Sequence, residues 1–284
     1  MASPDTRMID LDQVRIAYAV SGSTSPPLVL VHGSWGSHHN WDPVVTALSR
    51  HLRVLTYDRR GHSESSAPPG QGSFTEDVAD LAALIERLGV GPAWVAGNSS
   101  GAVIALQLAA ARPDLLRGLV AHEPPLVGLL APGTAEAEAW AARDRGPVAE
   151  VGRRIAAGDH AGAAEQFVDE VALGPGSWAR LPESLRAMMT GNAPTYLDEL
   201  RDSSWRSLDE QALTGYGGPV LLTGGGQSPA FFAAVLDRLE EFLPHAERHL
   251  HPQAGHIPHV THPEEYVDTL VRFVGAHEQA GAAR

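Results

Sequence analysis

The segment Trp94-Val95-Ala96-Gly97-Asn98-Ser99-Ser100-Gly101-Ala102 constrains this chain more than any other. A short apolar run turns abruptly into an alanine-rich stretch of helical composition, and a serine stands at the bend. The glycines two before and two after that serine have a steric reason. A strand that turns into a helix within one residue strains the serine backbone and crowds both flanks, where side chains would clash. The spacing Gly97-x-Ser99-x-Gly101 is the pattern that exposes a nucleophilic serine. Ser100 fits less well, because its flanking positions are Asn98 and Ala102. Five-residue patterns arise by chance, so the weight comes from placement after a strand and before a helix.

Around this bend the chain alternates. Residues 7–20 read as a hairpin with its turn near 10–13. Strands are expected at 27–31, 53–57, 116–121, 219–223 and 247–250, and helices at 75–88, 101–111, 230–242 and 263–274. Strands separated by helices predict an α/β fold with a doubly wound, mostly parallel sheet. One stretch breaks the alternation. Residues 126–215 carry helical periodicity at 135–145, 148–157, 161–171, 178–189 and 195–201, and no convincing strand. They are expected to form an inserted α-helical lid on a core built from 1–125 and 216–284. No internal repeat is visible, and residues 280–284 are expected to fray.

A serine hydroxyl is a weak nucleophile at neutral pH. It needs a base, and the base needs an orienting acid. The base is expected in a loop after the last strand, where Gln253-Ala254-Gly255-His256 brings a histidine back toward the bend. His259 and His262 are rivals. His262 precedes Pro263 and is expected at a helix start, and His259 is expected at the pocket mouth. For the acid, Glu123 in Val120-Ala121-His122-Glu123-Pro124-Pro125 is the only carboxylate between Asp114 and Glu136. It lies where a strand ends beside the serine, at the edge where open α/β sheets bind ligands. The alternative is that Glu123 pairs with an arginine, which leaves the histidine without an orienter. The developing oxyanion needs two backbone donors, expected from Ser100 and from Ser34 in His32-Gly33-Ser34-Trp35-Gly36.

Composition narrows the partners. The 284 residues suffice for one large domain or a core with a subdomain. The net charge of −13 argues against nucleic acid or an anionic membrane surface. All 21 basic residues are arginine, which points to compositional bias more than to function. Zero cysteines remove disulfides, thiolate metal sites and cysteine nucleophiles, and are compatible with a cytoplasmic location. The polar start Met1–Asp5 has no apolar stretch behind it, and no run approaches the roughly 20 apolar residues of a membrane span. Fourteen histidines invite a metal, but no zinc-ligand spacing accompanies them. Gly224-Gly225-Gly226 lacks the spacing of a phosphate loop. Neither metal nor cofactor is expected, and the oligomeric state stays open. In the lid, Trp140, Trp178, Met188, Met189, Tyr196 and Trp205 are candidates for an apolar pocket, with lid core as the plainer role for each. Trp35 has a better claim to the pocket than Trp41.

Together these residues resemble the α/β-hydrolase superfamily over nearly the whole chain. His32-Gly33-Ser34-Trp35 is similar to its oxyanion loop, and Asp58-Arg59-Arg60-Gly61-His62-Ser63-Glu64-Ser65 to its structural D-x-R-G-x-G/S-x-S segment. That family usually carries its acid after the strand represented here by 220–223. This chain has Gly224-Gly225-Gly226-Gln227-Ser228-Pro229 there, and Asp237 stands two turns into the next helix. The paired serines Ser99-Ser100 and the His122-Glu123-x-Pro context resemble fungal zearalenone lactonases, which take a Glu from the end of the earlier strand. Haloalkane dehalogenases of one branch place a Glu similarly, but with an Asp nucleophile where this chain has Ser99. The chain departs from the lactonases at Asn98, in its His-Gly loop and throughout the lid, so substrate identity does not carry over. The expected reaction is hydrolysis of a carboxylic ester or lactone through an acyl-enzyme; the Trp- and Met-rich lid points to a moderately large apolar substrate, and only the resemblance favours a lactone. Thioesterase, perhydrolase and cofactor-free lyase chemistry, or a non-catalytic receptor of the same fold, are the alternatives.

Overall fold

The computed structural model describes residues 5–23, 25–206 and 208–282. Eight strands form one sheet: β1 (Arg7–Asp10), β2 (Arg15–Ser21), β3 (Pro27–Val31), β4 (Arg53–Tyr57), β5 (Ala93–Asn98), β6 (Leu116–His122), β7 (Val220–Gly225) and β8 (Glu247–His251). Their order across the sheet is β1-β2-β4-β3-β5-β6-β7-β8. The β1–β2 and β2–β4 pairs are antiparallel, and every other pair is parallel. The helices are α1 (Asp42–Leu48), α2 (Phe74–Arg87), α3 (Ser100–Ala111), α4 (Ala135–Arg143), α5 (Ala149–Ala156), α6 (His160–Gln166), α7 (Ser177–Arg180), α8 (Glu183–Arg201), α9 (Glu210–Thr214), α10 (Ala230–Phe242), α11 (Pro258–Thr261) and α12 (Pro263–Ala282).

Period-2 alternation gives the central strands two apolar faces. Val29, Val31, Val95, Leu119 and Leu222 pack on the side of α2, α3 and α10. Leu28, Leu30, Trp94, Ala96, Val120 and Leu221 pack on the side of α1 and α12. Helix α3 buries most of its circumference, so its apolar residues show no single stripe.

Helices α4–α9 all fall between β6 and β7. Helices α4 and α9 pack on the core, while α5, α6 and α8 form a third apolar cluster around Val151, Ile155, Ala163, Ala164, Ala193 and Tyr196. Trp35 inserts into it from the β3 loop, its ring 4.9 Å from Phe167 and 5.1 Å from Tyr196. Buried Asn192 ties α8 to the same loop, donating to Gly36 O at 2.8 Å, and to the loop after β4, accepting from Ser63 N–H at 2.7 Å. The expected piece 178–189 is broken at Leu181-Pro182, between α7 and α8, and its remainder is joined with 195–201 because α8 runs unbroken through Pro194. The stretch 135–145 ends earlier, at Arg143, where a π-type segment containing Gly146 and Pro147 intervenes. Residues 280–282, expected to fray, continue α12, and 283–284 lie outside the described residues. So do Met1–Pro4, where the polar start was expected. No helix among the described residues is long and apolar enough to cross a membrane.

The bend at Ser99 depends on two glycines. A Cβ on Gly97 would stand 2.2 Å from Gly101 O, and a Cβ on Gly101 would stand 2.2 Å from Val31 O. Both neighbours are backbone and cannot swing aside. Gly101→Ala is therefore expected to cost at least the 1–3 kcal/mol typical of overpacking, lowering Tm by about 5 °C or more or preventing soluble expression. Calorimetry or circular dichroism checks this, and an unchanged Tm contradicts it.

Candidate active site

The parallel register decides which side chains meet. Asn98 on β5 pairs with His122 on β6, so Ser99 and Glu123 leave adjacent strand ends together. Ser99 N–H donates to His122 O at 2.9 Å, and Glu123 N–H donates to Thr223 O on β7 at 3.1 Å. Ser99 sits at φ 57°, ψ −125°, and Glu123 at φ 46°. Two non-glycine residues at positive φ, side by side, mark a backbone held by its surroundings.

The Glu123 carboxylate is 1% exposed. Its Oε2 lies 2.7 Å from His256 Nδ1 and accepts from Ser228 Oγ at 2.9 Å, while Oε1 accepts from Gly225 N–H at 2.7 Å. Burial alone would push its pKa up. The hydrogen bond and charge of His256, the nearby His122 ring and Ser228 outweigh that and bring it down to about 2. An ionised acceptor on this side places the His256 proton on Nδ1 and leaves Nε2 on the opposite edge of the ring.

Three further contacts hold His256. Its ring stacks on Phe232 at 4.7 Å and 21°. Its carbonyl accepts from Asn98 Nδ2 at 2.8 Å. The loop before it rests on the end of β7, where a Cβ on Gly225 would stand 2.6 Å from Gly255 O. The glycine run at 224–226 thus lets the histidine loop approach and gives Glu123 a backbone donor. Ser99 and His256 line one cavity. Among the described residues no hydrogen bond joins them, a looseness common in unliganded sites.

A second polar group borders this cavity. Glu199, on α8, is buried between the guanidinium of Arg59 at 2.9 Å and the hydroxyl of Ser34 at 2.5 Å. Arg59 also reaches Ser100 Oγ at 3.1 Å and forks onto Asp77 at 2.6 and 3.2 Å. Burial raises the Glu199 pKa against the pull of Arg59 and Ser34. These charges join the loop after β4, the Ser34 loop, the start of α3 and α8. Glu199 and Phe74 separate the serine cavity from a neighbouring one lined by Arg59, Arg60 and residues 67–73.

The remaining candidates divide. Trp140, Tyr196 and Trp205 line the serine cavity with Ser34, Ser100 and His256. Trp35, Trp178, Met188, Met189 and His259 do not. Trp35 is fully buried in the cluster of the helical segment, with Trp178 and Met189 packed against that cluster. Met188 is half-buried on α8, away from the cavity lining. His259 is 1% exposed and lies 4.4 Å from the Trp41 ring, so it belongs to the core beneath the site. Burial, with His122 and His256 nearby, lowers its pKa to about 3 and keeps it neutral. His262 ends α11, its Nδ1 2.9 Å from Thr261 Oγ1. Phe74, Phe231, Phe232 and Arg143 line the cavity without having been singled out in the sequence. Three sets of groups lie close enough to share a cation: His122, Glu123 and His256; His249, His251 and Glu265; and His38, His39 and Glu64. The first set is already joined by the Glu123–His256 contact.

Residues 26–263 match the family model for the alpha/beta hydrolase fold. The chain belongs to the α/β-hydrolase fold family. Among curated members of that family, it is 27% identical over 274 residues to sn-1-specific diacylglycerol lipase ABHD11 of Mus musculus, spanning 93% of this chain and 87% of that protein. A shorter match, 41% identical over 117 residues, relates it to the uncharacterized hydrolase YraK of Bacillus subtilis, across 40% of this chain and 43% of that one. Among solved structures, an alpha/beta hydrolase from Sphaerobacter thermophilus superposes with a TM-score of 0.76 at 26% identity, over 94% of this chain and all of that one.

The depressed Glu123 pKa makes a stability prediction. A carboxyl at about 2 folded and about 4.5 unfolded stabilises the fold above pH 4.5, and that contribution is lost as pH falls toward 2. Wild type is expected to melt above Glu123→Gln at pH 7, with the gap narrowing as pH falls below 4.5. A gap that stays constant down to pH 3 contradicts the depressed carboxyl.

Proposed function

We propose that this α/β-hydrolase cleaves a carboxylic ester or lactone through an acyl-enzyme, with Ser99, His256 and Glu123 as its catalytic triad. The observation that carries this reading is the 2.7 Å contact of Glu123 with His256 Nδ1, beside a serine in a strained bend. Ser99 Oγ attacks the carbonyl carbon, and His256 Nε2 takes its proton. Glu123 holds the ring in the tautomer that frees Nε2 and stabilises the imidazolium. His256 then protonates the leaving alcohol and activates the water that releases the acid.

The oxyanion is assigned to the N–H groups of Ser100 and Ser34. Ser100 is the first residue of α3, so its N–H has no acceptor within the helix and lies at the positive end of the helix dipole. Ser34 is positioned by its hydroxyl contacts with Glu199 and Ser100 Oγ, at 2.5 and 3.2 Å. Residues 126–215 serve as a lid, contributing Trp140, Tyr196 and Trp205 to an apolar pocket that favours a moderately large substrate. A relative whose name specifies a diacylglycerol lipase supports ester chemistry.

The test is time-resolved release of p-nitrophenol from acyl esters of increasing length. Ser99→Ala is expected to abolish turnover. Glu123→Gln is expected to lower kcat by about 10⁴-fold, by analogy with the Asp→Asn effect in a serine protease triad. Near-wild-type turnover by Glu123→Gln rejects the acid, and tight binding of esters by wild type without turnover supports a receptor instead.

A further inference from the structure

Arg143 is the last residue of α4 and lines the serine cavity. Its guanidinium is half-buried and donates to Val171 O at 2.5 Å. That bond uses one of five N–H donors. Among the described residues no carboxylate lies within ion-pair distance of it. Two acids of this segment are already taken: Asp144 is forked onto Arg206 at 2.9 and 3.1 Å, and Glu199 is held by Arg59 and Ser34. Burial lowers the Arg143 pKa, offset only by Tyr196. An arginine nonetheless stays protonated in a protein. A partly desolvated cation without a counter-charge gains from an anion that reaches it.

The surrounding wall has the same imbalance. Trp140 and Trp205 line the cavity, and the indole N–H of each is buried without an acceptor. The Tyr196 hydroxyl is kept protonated by burial and is a further donor. The one carboxylate in the lining, Glu199, faces its own arginine. Among the described residues of the lining, Arg143 is the one arginine, and it shares the cavity with the catalytic serine.

The geometry points to Arg143 as the recognition residue for a carboxylate on the substrate: an ester or lactone with an apolar body and one free carboxyl group. A single guanidinium, with no second arginine in the lining and no lysine in the chain, matches a monoanion better than a phosphate dianion. The inference rests on the ester-cleaving reading above and adds the charge of the substrate to it.

The test compares mono-p-nitrophenyl esters of adipic and suberic acid with p-nitrophenyl hexanoate and octanoate, which have equal carbon counts and no charge. Wild type is expected to show a kcat/KM at least tenfold higher for the acidic ester of one pair. Arg143→Gln is expected to lower that ratio at least tenfold, and Arg143→Lys to retain part of it. A wild-type ratio near or below one, or a ratio unchanged in Arg143→Gln, overturns the assignment. Calorimetric titration of monomethyl and dimethyl suberate into Ser99→Ala reads binding without turnover. Tighter binding of the monoester supports the assignment, and equal or weaker binding overturns it. This titration decides the matter where Arg143→Gln does not fold. It also separates the two readings: no hydrolysis of any ester by wild type rejects the ester chemistry, while the titration still reads the carboxylate site.

Discussion

A carboxylate with 1% exposure is expensive to ionise, and Glu123 is kept ionised by three donors from three parts of the chain. His256 comes from the loop after β8, Gly225 from the end of β7, and Ser228 from the turn that follows. Removing any one leaves a buried charge underpaired, which costs more than the lost bond is worth. The contact therefore locks the histidine ring and fastens three chain segments to one strand end. The rest of the site is arranged around it.

This arrangement accounts for the glycine run after β7. The carboxylate beside His256 arrives from β6, and a side chain at Gly225 would collide with the carbonyls of Ala254 and Gly255. The register does the remaining work. Because Asn98 pairs with His122, Ser99 and Glu123 are consecutive outlets of neighbouring strands, and Asn98 has its amide free to hold the His256 carbonyl.

Much of this was readable in the residues, for physical reasons. The strands and core helices follow from apolar periodicity that the packed sheet enforces. The serine bend follows from steric demands that glycine alone meets. Glu123 stood out because its region offers no other carboxylate. The helical segment was less legible. Gly191-Asn192-Ala193-Pro194 reads as a break, yet packing of Ala193 and Tyr196 carries α8 across it. Trp35 follows Ser34 in sequence, but its ring turns into the helices and anchors them. Glu199, Arg59 and Arg143 meet the site through contacts separated by up to 165 residues, and no local spacing announces such contacts. A buried arginine also looks like any surface arginine until its surroundings are known.

The Arg59–Glu199 pair gives the helical segment a second hold on the core, next to the loop that presents Ser34. One edge of the cavity is thus fixed by charge and the other by the histidine contact. The central claim is that the ionised Glu123 carboxylate accepts a hydrogen bond from His256 Nδ1–H. The far-downfield proton NMR spectrum reads that proton directly, because a short hydrogen bond to a buried carboxylate deshields it and slows its exchange. A resonance assigned by ¹⁵N labelling to His256 Nδ1–H, present in wild type and in Asp237→Asn and absent in Glu123→Gln, is the predicted result. The same resonance persisting in Glu123→Gln, or lost in Asp237→Asn, would contradict the account.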